Sequence, residues 1–229
     1  MLLEVIAETV ADACEAEQGG AGRIELVRDL GRGGLTPPQS LIEAVVQAVN
    51  IPVRIMLRDS EPFELADNDE PARLHIAARA ALASGASGLV LGFLHDGIPD
   101  FDSMSRILGD LVVPVTFHRA FDGILHPLRG MQMLAREPRI DRVLTSGGAG
   151  EWEVRLARLK KLRAAAPSHP GILPCGGIDA AALRDLAGAS FAEAHVGRAA
   201  RVATGRGYRV CRRRVAALLA DAMLAAGPS

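Results

Sequence analysis

The chain has 229 residues, of which 49% are hydrophobic but only 3% aromatic, and its formal net charge at pH 7 is −1. This length suits one α/β barrel, so we expect a single domain over residues 1–229 with a core of Ala, Val, Leu and Ile. A net charge so close to zero gives no global field for attracting polyanions, which argues against nucleic acid or an anionic membrane as partner.

The cysteines and the N-terminal residues indicate the cellular compartment in which the protein is expected. Cys14, Cys175 and Cys211 lie far apart and form no CxxC pair, which fits neither a disulfide framework nor a structural zinc site. The chain opens without a basic segment, and no apolar run approaches the roughly 20 residues of a membrane span. We therefore expect a cytoplasmic protein.

Short apolar runs alternate with amphipathic or Ala-rich stretches about eight times, which is typical of βα units around a parallel sheet. The alternation predicts strands at Leu2–Ile6, Arg23–Val27, Pro52–Leu57, Gly88–Gly92, Val112–His118, Arg142–Thr145, Gly171–Cys175 and Ala192–Val196. After the second strand, Thr36 as N-cap and Pro37 at the first helical position predict the start of a helix.

A closed (β/α)₈ barrel of the TIM type and an open doubly wound sheet share this pattern. We favour the barrel because the repeat is uniform and no GxGxxG fingerprint follows the first strand.

The functional face of such a barrel is built at the C-terminal ends of its strands. Charged residues inside strands need a reason to be there, and Glu4, Glu25 and His195 are such residues. They indicate either a site at the mouth of the barrel or a structural ion-pair network. We take Glu25 and His195 as catalytic candidates and Glu4 as a ligand-binding one.

The run from Phe117 to Asp122, FHRAFD, places an imidazole, a guanidinium and a carboxylate in one strand-to-loop turn. This turn suits proton transfer or anion binding, with His118 and Asp122 as catalytic candidates and Arg119 as an anion contact. In the alternative interpretation, Arg119 and Asp122 pair with each other and His118 is a core residue.

Other strand ends offer polar groups and glycine turns where many barrels hold a phosphate. Tight turns without a ligand explain the glycines equally well. The remaining ligand-binding candidates are Arg58, Thr145, Ser146, Gly176, Gly177, Gly197 and Arg198.

Several motifs resemble the CutC family in order and spacing. They are LEV at Leu3, RIEL at Arg23, GGLTP at Gly33, FHRAFD at Phe117, VLTSGG at Val143, GGI at Gly176 and EAH at Glu193, and they span nearly the whole chain. The resemblance implies a barrel fold, a cytoplasmic location, self-association, and a role in copper homeostasis through copper binding.

The resemblance also implies copper ligands at the end of the first strand and just after the second, where copper-binding members look to carry cysteines. Here those positions are Ile6 and Val27, which donate no thiolate to Cu(I). Cys175, at the end of the seventh strand, is the one cysteine placed near the expected mouth, and we take it as the candidate metal ligand.

Three functions therefore remain open. The first is a copper-binding protein of copper homeostasis. The second is an enzyme that acts by His/Glu acid-base chemistry on a small anionic or phosphorylated metabolite. Schiff-base chemistry is disfavoured, because the two lysines, Lys160 and Lys161, lie in a predicted helix. The third is a homo-oligomeric scaffold without catalysis.

Overall fold

A computed structural model describes residues 1–166, 168–205 and 207–226. Its twelve strands are β1 (Leu2–Ala7), β2 (Arg23–Leu26), β3 (Val53–Met56), β4 (Gly88–Leu91), β5 (Leu94–His95), β6 (Ile98–Pro99), β7 (Val115–Phe117), β8 (Ile140–Thr145), β9 (Gly171–Pro174), β10 (Glu193–Val196), β11 (Arg201–Thr204) and β12 (Gly207–Val210). Its eight α-helices are α1 (Val10–Gln18), α2 (Gln39–Ala48), α3 (Glu70–Ala83), α4 (Phe101–Leu108), α5 (Pro127–Leu134), α6 (Trp152–Ala165), α7 (Ala180–Gly188) and α8 (Arg212–Ala226).

Eight of the strands form one parallel sheet in the order β10-β1-β2-β3-β4-β7-β8-β9. The two outer strands, β9 and β10, lie against each other, so the sheet curls into a nearly closed barrel. The predicted (β/α)₈ barrel is confirmed, and the eight predicted strands correspond to these eight strands to within a few residues at each end. None of the described helices is long and apolar enough to cross a membrane.

The two faces of the sheet bury different kinds of side chain. On the outer face, alternate residues such as Leu3, Val5 and Ala7 pack against the helices in the main hydrophobic core. The inner face carries two small apolar clusters, one of which contains Val27, Met56 and Val90. Because side chains alternate along a strand, Glu4 must point into the barrel when its neighbours point out.

The N-terminal half of the barrel interior is an ion-pair network. Arg23 contacts both Glu4 and Glu193, and its Nη2 lies 2.6 Å from a Glu193 carboxylate oxygen. Arg54 donates to Thr116 Oγ1 at 2.7 Å and to the Asp141 carboxylate. Arginines therefore fill positions where many barrels place branched aliphatic side chains.

The structure corrects two of the predicted boundaries. Val112 is almost fully exposed, and β7 begins only at Val115. Helix α2 begins at Gln39 after Pro38, and Thr36 caps nothing, because its hydroxyl accepts from Arg58 N at 2.8 Å and donates to Arg58 O. Thr36 thus ties the loop after β2 to the loop after β3.

Candidate functional site

Three buried side chains meet where β1, β2 and β10 run side by side. The strand register places Glu4 beside both Arg23 and His195, and Glu25 beside Ile6. His195 Nδ1 lies 2.7 Å from Glu4 Oε1 and 3.3 Å from Glu25 Oε2. The predicted residues Glu4, Glu25 and His195 therefore form one cluster, although 191 positions separate the first from the last.

The two carboxylates of this cluster differ in charge because their partners differ. Burial alone would raise the pKa of Glu4, but the hydrogen bond to His195 and the charge of Arg23 lower it to about 2. Burial raises the pKa of Glu25 to about 7, since no cation pairs with it as closely as Arg23 pairs with Glu4. Glu4 is therefore a fixed anion, whereas Glu25 exchanges a proton near neutral pH.

His195 is the cationic neighbour of Glu25. Burial opposes a charge on the imidazole, but the Glu25 and Glu4 carboxylates outweigh it and raise the pKa of His195 above its ordinary value. Among the described residues, His195 is also the only ion-pair or hydrogen-bond partner of the Glu25 carboxylate. The Nδ1 hydrogen bond of His195 goes to Glu4, so the imidazole stands beside Glu25 as a charge and leaves the Glu25 carboxylate able to take up a proton.

His118 is a neutral donor. Its Nδ1 accepts a hydrogen bond from Ala120 N at 3.1 Å, and burial, together with the charges of Arg58 and Arg119, lowers its pKa to about 3. The neutral ring must then carry its proton on Nε2. That nitrogen is buried and has no hydrogen-bond partner among the described residues.

The ring of His118 is held from two sides. Phe63 packs against it with ring centroids 5.3 Å apart. Behind it, a Cβ on Gly92 would lie 2.9 Å from Nδ1, closer than any carbon can come, so only glycine leaves room for this imidazole. A buried donor fixed in this way costs free energy unless something accepts from it.

An inner cavity of about 230 Å³ brings these groups to one space. Its polar lining is Glu25, His195, His118 and Arg58, with Arg119 at its edge, and its apolar lining includes Ile6, Val27 and Leu144. Arg58 is buried and donates to backbone carbonyls, among them Gly34 O at 2.8 Å. No described carboxylate forms an ion pair with it.

An outer cavity of about 570 Å³ adjoins the inner one, and Arg119 and His195 line both. It contains the predicted Gly176, Gly177, Gly197 and Arg198, together with Cys175. The loops after β9 and β10 therefore meet at the mouth, with Arg198 exposed beside them.

Three of the predicted residues, Asp122, Thr145 and Ser146, line neither the inner nor the outer cavity. Asp122 accepts from Thr145 Oγ1 at 2.6 Å and from Ser146 N at 3.0 Å. Asp122 and Thr145 line a separate, largely apolar cavity of about 270 Å³, and Arg119 Nε lies 3.2 Å from Asp122. Their hydrogen bonds join the loop after β7 to the end of β8.

Sequence reasoning overlooked Arg23, Phe63 and Gly92 as site residues. Arg23 stands two positions before Glu25, and the period of two along a strand puts both on the inner face. That signal was available in the sequence. Nothing in the sequence indicates that Phe63 or Gly92 contacts His118, because each reaches it from another βα unit.

One group of described residues has the composition of a metal site. The ligand atoms of Glu4, Glu25 and His195 lie within 4.8 Å of one another. Both Glu4 oxygens are already engaged, one by His195 and one by Arg23. A cation there would displace the His195 proton next to a fixed guanidinium.

The candidate metal ligand Cys175 does not belong to this group. Burial and the nearby Asp122 carboxylate raise the pKa of its thiol well above the ordinary value, so it resists becoming a thiolate. The described part of the mouth therefore offers Cu(I) a buried, protonated thiol at Cys175 and the thioether of Met56, but no thiolate.

Comparison with known proteins identifies the family. The CutC family profile matches residues 1–200. The copper homeostasis protein cutC homologs of mouse and human are each 38% identical over 197 residues, which cover 85% of this chain and 72% of theirs.

Solved structures agree on the fold. A CutC protein from Streptococcus agalactiae superposes with a TM-score of 0.78 at 24% identity, covering 86% of this chain and 98% of its own. Orotidine 5'-phosphate decarboxylase from Pyrococcus horikoshii reaches a TM-score of 0.64 at 18% identity, over 96% and 99% of the two chains. At these identities the structures establish the barrel alone, whereas the sequence matches establish that this chain belongs to the CutC family.

Proposed function

We propose that this chain serves copper homeostasis in the cytoplasm, the role named for its mammalian relatives, and that its molecular act is acid-base chemistry on a small anionic metabolite. The observation that carries the second part is the inner cavity, which is lined both by the Glu25 carboxylate, 3.3 Å from His195 Nδ1, and by the unpartnered donor of His118. Buried donors without an acceptor are uncommon in folded proteins, and among the described residues His118 Nε2 is the one such atom on a side chain that lines the inner cavity.

The charge of the mouth supports an anionic ligand. Arg58 contributes a buried positive charge to the inner cavity without an ion pair, and Arg119 and Arg198 stand at the outer one. An anion that entered would gain charge-assisted hydrogen bonds in a partly dehydrated space. We assign Arg198 to the anionic end of the ligand, because no described residue forms an ion pair with it and it lines the outer cavity.

Copper binding is the second candidate, favoured by the names of the relatives and by the group of Glu4, Glu25 and His195. The residues present fit Cu(I) poorly, since the thiol of Cys175 is buried and protonated, Ile6 and Val27 offer no ligand atom, and Met56 is the one other sulfur in the described lining of the two cavities. We therefore expect no thiolate copper site in the barrel mouth.

A Cu(I) titration of the reduced protein against a competing chelator checks that expectation. We expect the protein to remove no Cu(I) from the chelator. The native protein and Cys175→Ala should give the same titration curve. Tight one-to-one binding that Cys175→Ala or His118→Ala abolishes would contradict the proposal and restore a copper site in the mouth.

Ligand-induced stabilisation tests the proposed function itself. Dihydroxyacetone phosphate, ribose 5-phosphate, hydroxypyruvate and malate would be compared with uncharged dihydroxyacetone and ribose by thermal unfolding. At a concentration 100 times its Kd, a bound anion adds about 2.7 kcal/mol of stability. We expect at least one anion to raise Tm and neither uncharged compound to do so.

Two arginine variants locate the effect. Arg198→Gln should weaken anion binding about fivefold to tenfold, because one charge-assisted hydrogen bond is lost. Arg129→Gln is the matched control, since Arg129 is exposed on α5 and lines neither cavity. The proposed anion site would be contradicted if charged and uncharged compounds raised Tm equally. It would also be contradicted if none of the compounds raised Tm.

A further inference from the structure

We propose that the inner cavity catalyses enolisation: His118 Nε2 donates to the carbonyl oxygen of an anionic hydroxycarbonyl compound, and Glu25 takes the proton from the carbon next to that carbonyl. The inference rests on the proposed function and names its reaction and its substrate class. It is carried by the position of two groups in one cavity, a buried carboxylate and a buried donor without an acceptor.

His118 suits a carbonyl better than it suits a proton-transfer role. Its Nδ1 is occupied by Ala120 N–H, so the ring presents only an N–H to the cavity. A neutral imidazole N–H polarises a carbonyl and stabilises the enolate without handing over its proton, and its pairing with a carboxylate base is a known solution for enolising enzymes. Phe63 and Gly92 keep the ring in place before the substrate arrives.

Arg58 adds charge where the enolate oxygen develops. Its guanidinium lies over the Phe63 ring, 5.4 Å from the centroid, and lines the same cavity as His118. A fixed positive charge beside a developing oxyanion is worth more in a dehydrated site than in water. The aliphatic lining from Ile6, Val27 and Leu144 provides that dehydration.

The step balances without any further reactant. The C–H bond next to the carbonyl breaks, its electron pair forms the carbon–carbon double bond, and the carbonyl π pair moves to the oxygen held by His118. The proton goes to the Glu25 carboxylate. Return of a proton from Glu25 to the same carbon restores the carbonyl compound and ends the reaction, and His195, which lies 3.3 Å from Glu25, lines both cavities.

Exchange of the carbon-bound proton with D₂O, followed by ¹H NMR, tests the inference. The probes are dihydroxyacetone phosphate and hydroxypyruvate, which share the hydroxycarbonyl group but end in a phosphate and a carboxylate. Loss of the carbon-bound proton signal with only one of them identifies the anionic end that this site accepts. Binding of both probes is measured by calorimetry on the same samples.

Two variants assign the roles. Glu25→Gln should keep binding but lower the exchange rate about 10²-fold to 10⁴-fold, as expected for removing a general base. His118→Phe should lower it about 10²-fold, whereas His118→Gln, which keeps an N–H donor, should recover part of that loss. Arg129→Gln should exchange at the native rate.

The outcomes separate this inference from the proposed function. Binding of a probe without exchange by the native protein would overturn enolisation and leave the anion site standing. No binding of either probe would overturn enolisation, and if ribose 5-phosphate and malate also fail to bind, the proposed function falls with it. Exchange that survives Glu25→Gln and His118→Phe undiminished would show that these residues do not act as assigned.

Discussion

Glu4→Gln is expected to lower the free energy of unfolding at pH 7 by about 3–5 kcal/mol, the cost of removing one partner from a buried ion pair. Glu4 is 1% exposed and its two carboxylate oxygens serve Arg23 and His195. A glutamine in its place leaves the guanidinium with Glu193 as its remaining carboxylate partner. It also leaves His195 without its strongest acceptor.

Denaturant unfolding at several pH values measures this effect. The pKa of Glu4 is lowered to about 2, so its stabilisation is present above the unfolded pKa of about 4.5 and is lost as the pH falls through about 2. The deficit of Glu4→Gln should shrink accordingly in acid. Glu43→Gln, on the exposed face of α2, is the matched control and should change stability by less than about 0.5 kcal/mol. A deficit below about 1 kcal/mol at pH 7 would show that the network is dispensable.

The pairing of buried charged and polar groups changes along the axis of this barrel. Toward the N-terminal ends of the strands, the buried arginines meet carboxylates, as Arg54 meets Asp141 and Arg23 meets Glu193. Toward the mouth the pairing becomes incomplete, because Glu25 has only His195 and His118 Nε2 has nothing among the described residues. The paired half holds the strands in register, and the unpaired half is available for a ligand.

Much of this arrangement was predictable from the sequence. Eight apolar runs predict the strands. Glu4, Glu25 and His195 are recognisable as candidates because they are titratable residues inside these runs. The alternation of strand faces then directs these side chains into the barrel. The three side chains come together because the barrel closes. Closure pairs the last barrel strand, β10, with β1, so that β1 lies between β2 and β10.

The remaining features depend on contacts that no local pattern records. Thr36 reads as a helix cap but bonds to Arg58, whose loop lies 22 residues further along the chain. Asp122 was predicted as catalytic from its place in the FHRAFD run, but it lines a different cavity from Glu25 and His118 and accepts hydrogen bonds from Thr145 and Ser146. The hairpin of β11 and β12 went unpredicted, because four-residue strands with exposed side chains carry no apolar alternation.

Glu25→Gln is expected to make the protein more stable at pH 8 while lowering the rate of the proposed deuterium exchange. Burial raises the pKa of Glu25 to about 7 despite the opposing charges of His195, Arg23 and Arg58, and the Glu4 carboxylate adds to the increase. A raised carboxyl pKa favours folding below the unfolded pKa of about 4.5, and this contribution disappears as the pH rises through about 7. Native stability should therefore decline across this window by up to about 3 kcal/mol.

The neutral amide of Glu25→Gln removes that decline but also the contact with His195, so its net gain at pH 8 should be smaller, about 1–2 kcal/mol, and absent at pH 4.5. Denaturant unfolding of both proteins at pH 4.5, 6 and 8 measures the difference. Glu4→Gln supplies the contrast, since it should lose stability at pH 8. A Glu25→Gln variant as unstable as Glu4→Gln would mean that Glu25 is a structural ion and not a base kept at a cost to the fold. A gain in stability that coincides with lost deuterium exchange would mark Glu25 as the residue at which the barrel gives up stability for chemistry.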